Sequence, residues 1–277
     1  MKSLQKLSLF LLTTAVFISC KSGDKKAGPE TVATKEVKLK EQTISYKVDT
    51  ATMNNYVVYD ENLEGPRPVV FVIHEWWGLN DYAKSRARQL AEMGYIAMAI
   101  DMYGNGRMGT DPGAAEKLAM PFYMNPELAS PLFDSAWSAM KNFSQADMTK
   151  TAAIGYCFGG AQAINFAKMG KDLDAVVSFH GNLNVMPANK DLLKAQVLVC
   201  HGDSDSFVPS AEVEMFRKQM DSIGAKYSVK IYEGATHAFT NPEATALGEK
   251  FKLPLKYNAK ADSASWQHMI GLFKQIF

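Results

Sequence analysis

One thiol lies between small residues where the sequence changes from a strand pattern to a helix pattern. Cys157 is the third residue of GYCFGG, residues 155–160, which follows a short apolar run. In the nucleophile elbow, the catalytic residue lies on a strained strand-to-helix turn, and small neighbours let the backbone and the helix pass without a clash. The elbow usually carries serine, so this segment predicts a cysteine nucleophile.

A cysteine nucleophile needs a base, an acid that orients the base, and donors for an oxyanion. His237 lies in GATHAF, after the last apolar run, and Asp205 lies in HGDSDSFVP, after the run before it. The order Cys, Asp, His is that of the α/β-hydrolase arrangement, and D-x-x-V-P resembles its acid turn. Asp203 is an alternative acid, and either aspartate could instead cap the helix that begins near Pro209.

A further carboxylate follows the first buried strand, in HEWWGLN, residues 74–80. A zinc-protease helix would need a second histidine four residues after His74, where the chain has Gly78. The sequence therefore predicts no metal site here, and we expect no organic cofactor. Because loops that follow parallel strands open at the same edge of a doubly wound sheet, we expect Glu75 to lie near the elbow.

The chain contains two regions with different strand patterns. Residues 36–60 alternate like short antiparallel strands. Continuous apolar runs follow, which are typical of parallel strands covered on both faces. These runs are residues 69–73, 95–100, 151–155, 175–179, 195–200 and 227–232.

Helical spacing lies between the apolar runs, so the elements alternate and predict an α/β fold with a doubly wound, mostly parallel sheet and N-terminal antiparallel strands. Residues 103–131 interrupt the pattern and are rich in Gly, Pro and Met. They form either a lid or specificity region or an ordinary surface excursion. The expected helices are residues 80–94, 133–143, 209–224 and 265–277.

The composition indicates one globular domain with a substantial core. The chain has 277 residues, of which 47% are hydrophobic and 21% are charged, and its formal net charge is +1. No basic stripe with interleaved aromatic residues is present, so we expect no nucleic-acid partner.

The N-terminus resembles a bacterial lipoprotein signal. Lys2 and Lys6 precede an apolar run, residues 7–18, that is too short to span a membrane and ends at Ser19 and Cys20. We expect residues 1–19 to be removed, Cys20 to carry the lipid, residues 20–35 to form a polar tether, and residues 36–277 to fold. The protein would then be exported and held in the cell envelope, periplasmic or outward-facing, by its lipid anchor alone. The alternative is a plain signal or anchor in which Cys20 is incidental.

Five motifs together resemble the dienelactone hydrolase family of α/β-hydrolases, from about residue 36 to the end: HEWWGLN, DMYG, GYCFGG, GDSDSFVP and THAF. The resemblance implies a triad of Cys157, His237 and Asp205. It also implies that Glu75 contacts the resting thiol and helps to deprotonate it when substrate binds. The oxyanion hole it implies consists of the backbone N–H groups of Phe158 and Trp76.

The resemblance is incomplete at the positions that would bind a substrate carboxylate. An arginine is implied four residues after His237, where this chain has Asn241, and a second one after the D-M-Y segment, near Arg107. The dienelactone itself is therefore not favoured, whereas Trp76 and Trp77 favour an apolar or aromatic acyl group. The candidate substrate contacts are Trp77, Tyr103, Arg107 and Asn241.

These observations predict a hydrolase that cleaves a small-molecule carboxylic ester or lactone through an acyl-thioester on Cys157. One alternative is a binding module that keeps the fold without turnover. Another is a redox sensor in which Cys157 is oxidised or pairs with Cys200, although the apolar run that ends at Cys200 favours a buried, structural thiol.

Overall fold

The computed structural model describes residues 36–277, which form a single compact unit. The predicted signal segment, the tether and Cys20 lie outside the described residues. Among residues 36–277, no helix has the length and apolar character that crossing a membrane requires.

An eight-stranded mixed sheet forms the centre of the unit, in the order β1-β2-β4-β3-β5-β6-β7-β8. The β1–β2 and β2–β4 pairs are antiparallel, and all the others are parallel. The antiparallel N-terminal strands and the parallel sheet are thus confirmed. The strands are β1 Leu39–Val48, β2 Ala51–Asp60, β3 Arg67–Ile73, β4 Ile96–Ile100, β5 Ala146–Tyr156, β6 Ala175–Phe179, β7 Gln196–Gly202 and β8 Tyr227–Tyr232.

Helices cover both faces of this sheet, which explains why its central strands are continuously apolar. The helices are α1 Asp81–Glu92, α2 Pro112–Met124, α3 Ser130–Met140, α4 Phe158–Lys168, α5 Ser210–Ser222, α6 Ala244–Phe251 and α7 Ala259–Ile276. One core, with Leu90 of α1 and Phe273 of α7, lies on one face. The other core, with Phe133, Phe166 and Phe216 of α3, α4 and α5, lies on the opposite face.

The structure differs from the sequence expectation mainly in residues 103–131. This stretch contains the ordered helix α2, whose first turn is capped because the Asp111 side chain accepts a hydrogen bond of 2.9 Å from Ala114 N. A short 3-10 helix, Pro126–Ala129, then leads into α3. Likewise, α7 begins before residue 265, because Asn258 caps it by accepting from Ala261 N at 3.1 Å.

Candidate active site

Cys157 lies on a sharp turn between β5 and α4. Its backbone has φ 53° and ψ −116°, a conformation that is costly for a residue with a side chain and persists only when its surroundings impose it. Gly155 and Gly159 make the turn possible. A Cβ at Gly155 would collide with the carbonyl of Gly159, and a Cβ at Gly159 would collide with the carbonyl of Ile73. The strand-to-helix junction in GYCFGG therefore forms an elbow with Cys157 at its tip.

The loops after β7 and β8 bring an aspartate and a histidine together. His237 Nδ1 lies 2.8 Å from Asp205 Oδ2, and both side chains are buried. The other Asp205 oxygen accepts from the backbone N–H groups of Phe207 and Val208, at 2.9 and 3.1 Å. Asp203 is exposed and accepts instead from Gly234 N at 2.7 Å. Of the two candidate acids, the structure places Asp205 at His237.

The protonation of His237 depends on two neighbours. Burial lowers the pKa of His237, but the charge of the adjacent Cys157 sulfur and the hydrogen bond to Asp205 outweigh burial and raise it to about 10. With Nδ1 bonded to Asp205, Nε2 is the ring nitrogen left for the thiol and for substrate. This arrangement can hold an imidazolium beside a thiolate, which is the reactive form of a cysteine nucleophile.

Glu75 follows β3 and is 3% exposed. Burial raises its pKa to about 7, although a hydrogen bond from Asn241 opposes this rise. Asn241 Nδ2 donates to Glu75 Oε2 at 2.8 Å, and Asn241 Oδ1 accepts from Glu243 N at 2.9 Å. The second bond fixes which end of the amide faces Glu75. Asn241 is therefore placed to act on the Glu75 carboxyl group.

Two backbone N–H groups are available near the thiol. Phe158 is the first residue of α4, so its N–H has no partner within the helix and lies at the positive end of the helix dipole. Within residues 36–277, the Trp76 N–H has no protein acceptor. Donors of this kind can stabilise the oxyanion of an acyl-transfer reaction.

Comparison with known proteins agrees with this fold. Residues 53–277 match the dienelactone hydrolase family. The chain belongs to this family. The protein usf of Aquifex pyrophilus is 31% identical over 213 residues, which are 75% of this chain and 88% of that protein.

Solved structures extend the comparison. The crystal structure of a dienelactone hydrolase-like promiscuous phosphotriesterase from metagenomic libraries is 32% identical, with a TM-score of 0.80 over 86% of this chain and 99% of that one. The native esterase Est2 of Thermogutta terrifontis is 16% identical, with a TM-score of 0.52 over 84% and 90% of the two chains, and shows the fold alone. The protein is a dienelactone hydrolase-like hydrolase with an α/β-hydrolase fold.

A cavity of about 200 Å³ opens above the thiol of this dienelactone hydrolase relative. Five residues singled out from the sequence line it: Glu75, Trp76, Trp77, Cys157 and His237. The indole rings of Trp76 and Trp77 meet edge to face, with centroids 5.0 Å apart. Residues that sequence reasoning missed complete the wall: Glu116, Ala119, Met120, Tyr123, Asn182, Phe207, Ala238 and Leu255.

Four of the missed residues belong to one face of α2. Glu116, Ala119, Met120 and Tyr123 follow the spacing i, i+3, i+4, i+7, which is that of an amphipathic helix. This periodicity is the signal that could have located them. Pro121 and the Gly-rich composition of residues 103–131 are atypical of a helix and conceal this spacing.

The structure places three expected substrate contacts outside this cavity. Tyr103 is buried, and its hydroxyl donates to the Trp76 carbonyl at 3.0 Å, so it supports the wall from behind. The Arg107 guanidinium donates to the carbonyls of Tyr103 and Gly104 and lines a separate pocket. The side-chain amide of Asn241 is hydrogen-bonded to Glu75. These positions are corrections to the expected contacts, and only Trp77 of that group lines the cavity.

A second histidine supports the elbow and was missed from the sequence. His180 follows β6 directly, and its Nδ1 accepts a hydrogen bond of 3.1 Å from Cys157 N. Its Nε2 donates to Thr240 Oγ1 at 2.7 Å, and Thr240 Oγ1 also bonds to Tyr82 OH at 2.7 Å. Burial lowers the pKa of His180 well below its ordinary value, so the ring is neutral. Its place at the C-terminal end of a parallel strand is the signal that could have identified it.

The two thiols of the described residues are free and lie in different environments. Cys157 opens to the cavity, whereas Cys200 is fully buried in β7. Burial raises the pKa of the Cys200 thiol to about 12, which makes it unreactive. Among residues 36–277, no group of three or more His, Cys, Asp or Glu side chains is placed to hold a metal ion.

Proposed function

We propose that this protein hydrolyses neutral carboxylic esters or lactones through an acyl-thioester on Cys157. The observation that carries the proposal is the convergence of an elbow thiol and a buried His237–Asp205 pair on one cavity. A binding module would not need a histidine whose pKa is held this high beside a strained thiol.

The reaction would proceed in two halves. The Cys157 thiolate attacks the ester carbonyl, a carbon–sulfur bond forms, and the N–H groups of Phe158 and Trp76 bind the oxyanion. His237 Nε2 gives its proton to the departing alkoxide as the carbon–oxygen bond breaks. Water then enters, His237 takes a proton from it, and the resulting hydroxide cleaves the thioester to release the acid and restore Cys157.

Glu75 would act as a second titratable group at the thiol. Its pKa of about 7 places its ionisation near neutral pH, where a carboxyl group can exchange a proton with a neighbouring thiol. Asn241 would hold this carboxyl group in place.

The lining of the cavity favours uncharged substrates. It contains the carboxyl groups of Glu75 and Glu116 and, among residues 36–277, no Lys or Arg. Its remaining surface is mainly apolar and aromatic. The one cation in the lining, the His237 imidazolium, already lies against the charges of Cys157 and Asp205, so an anionic lactone would meet like charge without a free counter-ion, whereas a neutral ester would not.

Hydrolysis of p-nitrophenyl acetate by the purified protein tests the proposal. We expect Cys157→Ala to lose at least about 10³-fold in kcat, and Cys200→Ala, at the buried thiol, to keep turnover. Full activity in Cys157→Ala would contradict the mechanism. Binding of esters without turnover by the unmodified protein would support a binding module instead.

We also propose that the mature protein is an envelope lipoprotein anchored through Cys20, on the basis of the N-terminal sequence. Expression in a bacterium supplied with an alkyne fatty acid tests this. The label should appear on the unmodified chain and be absent from Cys20→Ser. Equal labelling of both chains would contradict the anchor.

A further inference from the structure

The catalytic cavity is small and continues into a neighbouring groove. Its volume of about 200 Å³ is below the about 300–1,000 Å³ that is usual for small-molecule sites. The groove has a volume of about 680 Å³ and shares Met120, Tyr123 and Asn182 with the cavity. A substrate larger than a simple ester would therefore extend from the thiol, past these shared residues, into the groove.

Exposed methionines line this groove. Met120 of α2 and Met215 of α5 are 40% and 60% exposed. Large apolar side chains at a concave surface next to a reactive centre indicate a binding surface. Methionine is unbranched and polarisable, so it adapts to flexible apolar ligands of different lengths.

The polar groups of the groove form hydrogen bonds within the protein. Glu212 of α5 accepts from Leu183 N at 2.6 Å, and its backbone carbonyl accepts from Asn184 Nδ2 at 2.7 Å. These bonds fix the loop after β6 against α5, and the first of them gives the Glu212 carboxylate a hydrogen-bond donor within the protein. In the part of the chain that the structure describes, no Lys or Arg lines the groove. The groove thus offers no cation to an anionic ligand and a fixed, largely apolar wall to a neutral one.

We propose that this groove binds an alkyl chain of the substrate, so that the protein acts on neutral esters with a chain of medium length. The inference rests on the proposed function, because the cavity at Cys157 holds the reacting carbonyl. The chain can belong to the acyl side or to the alcohol side of the ester, since both extend from the same carbonyl.

Two series of substrates test the inference and separate the two sides. Straight-chain p-nitrophenyl esters from acetate to decanoate vary the acyl chain, and n-alkyl acetates from ethyl to decyl vary the alcohol. We expect kcat/KM to rise by about twofold per methylene in one series, because the groove covers one side of the chain. Values of kcat/KM that are flat or falling beyond butyl in both series would overturn the proposal.

Variants at Met215 test the groove itself. Met215→Glu should lower the ratio of octyl to ethyl kcat/KM by about tenfold, because a carboxylate would lie among the methylenes. Met215→Leu keeps an apolar side chain of similar volume and should preserve the ratio. Met124→Glu adds the same charge at a methionine of α2 that is 79% exposed and lines neither space, so its ratio should also be preserved. Equal ratios in Met215→Glu and Met124→Glu would contradict the inference.

Binding without turnover separates this inference from the proposed function. Absence of acetate hydrolysis would count against the proposed function alone. The groove is then tested with 2-alkanones from butanone to decanone, which carry a carbonyl but no leaving group. Trp76 and Trp77 line the cavity, so tryptophan fluorescence reports their binding. We expect affinity to increase with chain length in the unmodified protein and not in Met215→Glu, and affinity independent of chain length would overturn the proposal.

Discussion

Asn241 donates a hydrogen bond of 2.8 Å to Glu75, across 166 positions of sequence. The family resemblance implies an arginine at this position, which would add a positive charge near the Glu75 carboxyl group. The neutral amide of Asn241 leaves burial as the dominant influence, and the pKa of Glu75 is raised to about 7. Residue 241 thus affects the protonation of the site, whereas it does not line the cavity.

Removal of this hydrogen bond should change the pH profile. The bond stabilises the ionised form of Glu75, so Asn241→Leu should raise its pKa further and move the corresponding inflection of kcat/KM up by about one pH unit. Hydrolysis of p-nitrophenyl acetate between about pH 5 and 9 measures the shift. Glu75→Gln is the control and should lack this inflection. An unchanged inflection in Asn241→Leu would contradict the assignment.

The buried Glu75 should also make stability depend on pH. Because burial raises its pKa from 4.5 to about 7, the folded protein binds more protons than the unfolded chain between these values, and the free energy of unfolding decreases as the pH rises through them. Glu75→Gln removes this loss. The free energy of unfolding of the variant, relative to that of the unmodified protein, should therefore increase by about 3 kcal/mol from about pH 4.5 to about pH 7.5. Urea unfolding at both pH values measures the gain, and an equal stability difference at both would refute the prediction.

His180 should help to hold the backbone of Cys157 in position. Its ring accepts from Cys157 N and donates to Thr240, so His180→Ala removes support for the elbow and one of the two hydrogen bonds of the buried Thr240 hydroxyl group. We expect a loss of about 1–3 kcal/mol in the free energy of unfolding and about tenfold in kcat. Denaturant unfolding and the rate of Cys157 alkylation by iodoacetamide measure the two effects. His180→Ala with unchanged stability, kcat and alkylation rate would show that the ring does not support the elbow.

Two glycines should respond in opposite directions to alanine. A Cβ at Gly159 would collide with the carbonyl of Ile73, whereas a Cβ at Gly271, within α7, would have no atom within 4 Å beyond its chain neighbours and the nearby backbone of its own helix. Gly159→Ala should disrupt the elbow and lower the free energy of unfolding by more than about 2 kcal/mol. Gly271→Ala should raise it by about 0.5–1 kcal/mol, because glycine weakens helix interiors. Equal effects at the two positions would contradict the packing of the elbow.

The sequence could predict features that depend on local patterns. The apolar runs specify the parallel strands because burial on both faces leaves little room for polar residues, as at Phe71 and Val177. The order of Cys157, Asp205 and His237 and their positions after strands specify which side chains should meet.

Features that depend on distant contacts could not be predicted in this way. Residue 241 contacts residue 75 only because two loops converge at one sheet edge, and nothing in the local pattern around Asn241 indicates this partner. The guanidinium of Arg107 turns back onto the carbonyls of its own loop, so proximity in sequence to the D-M-Y segment gave a misleading expectation. Helix α2 was missed because its composition is atypical, although its face lines the cavity.

Trapping of the acyl-enzyme tests the central claim most directly. His237→Gln keeps Cys157 but removes the base that activates water, so the thioester should form slowly and persist. After incubation with p-nitrophenyl acetate, acid quenching and proteolysis, mass spectrometry should locate one acetyl group on the peptide that contains Cys157 and none at any other site. A control that also carries Cys200→Ala should give the same result. Steady hydrolysis by the unmodified protein without an acetyl group on Cys157 in either chain would contradict the mechanism.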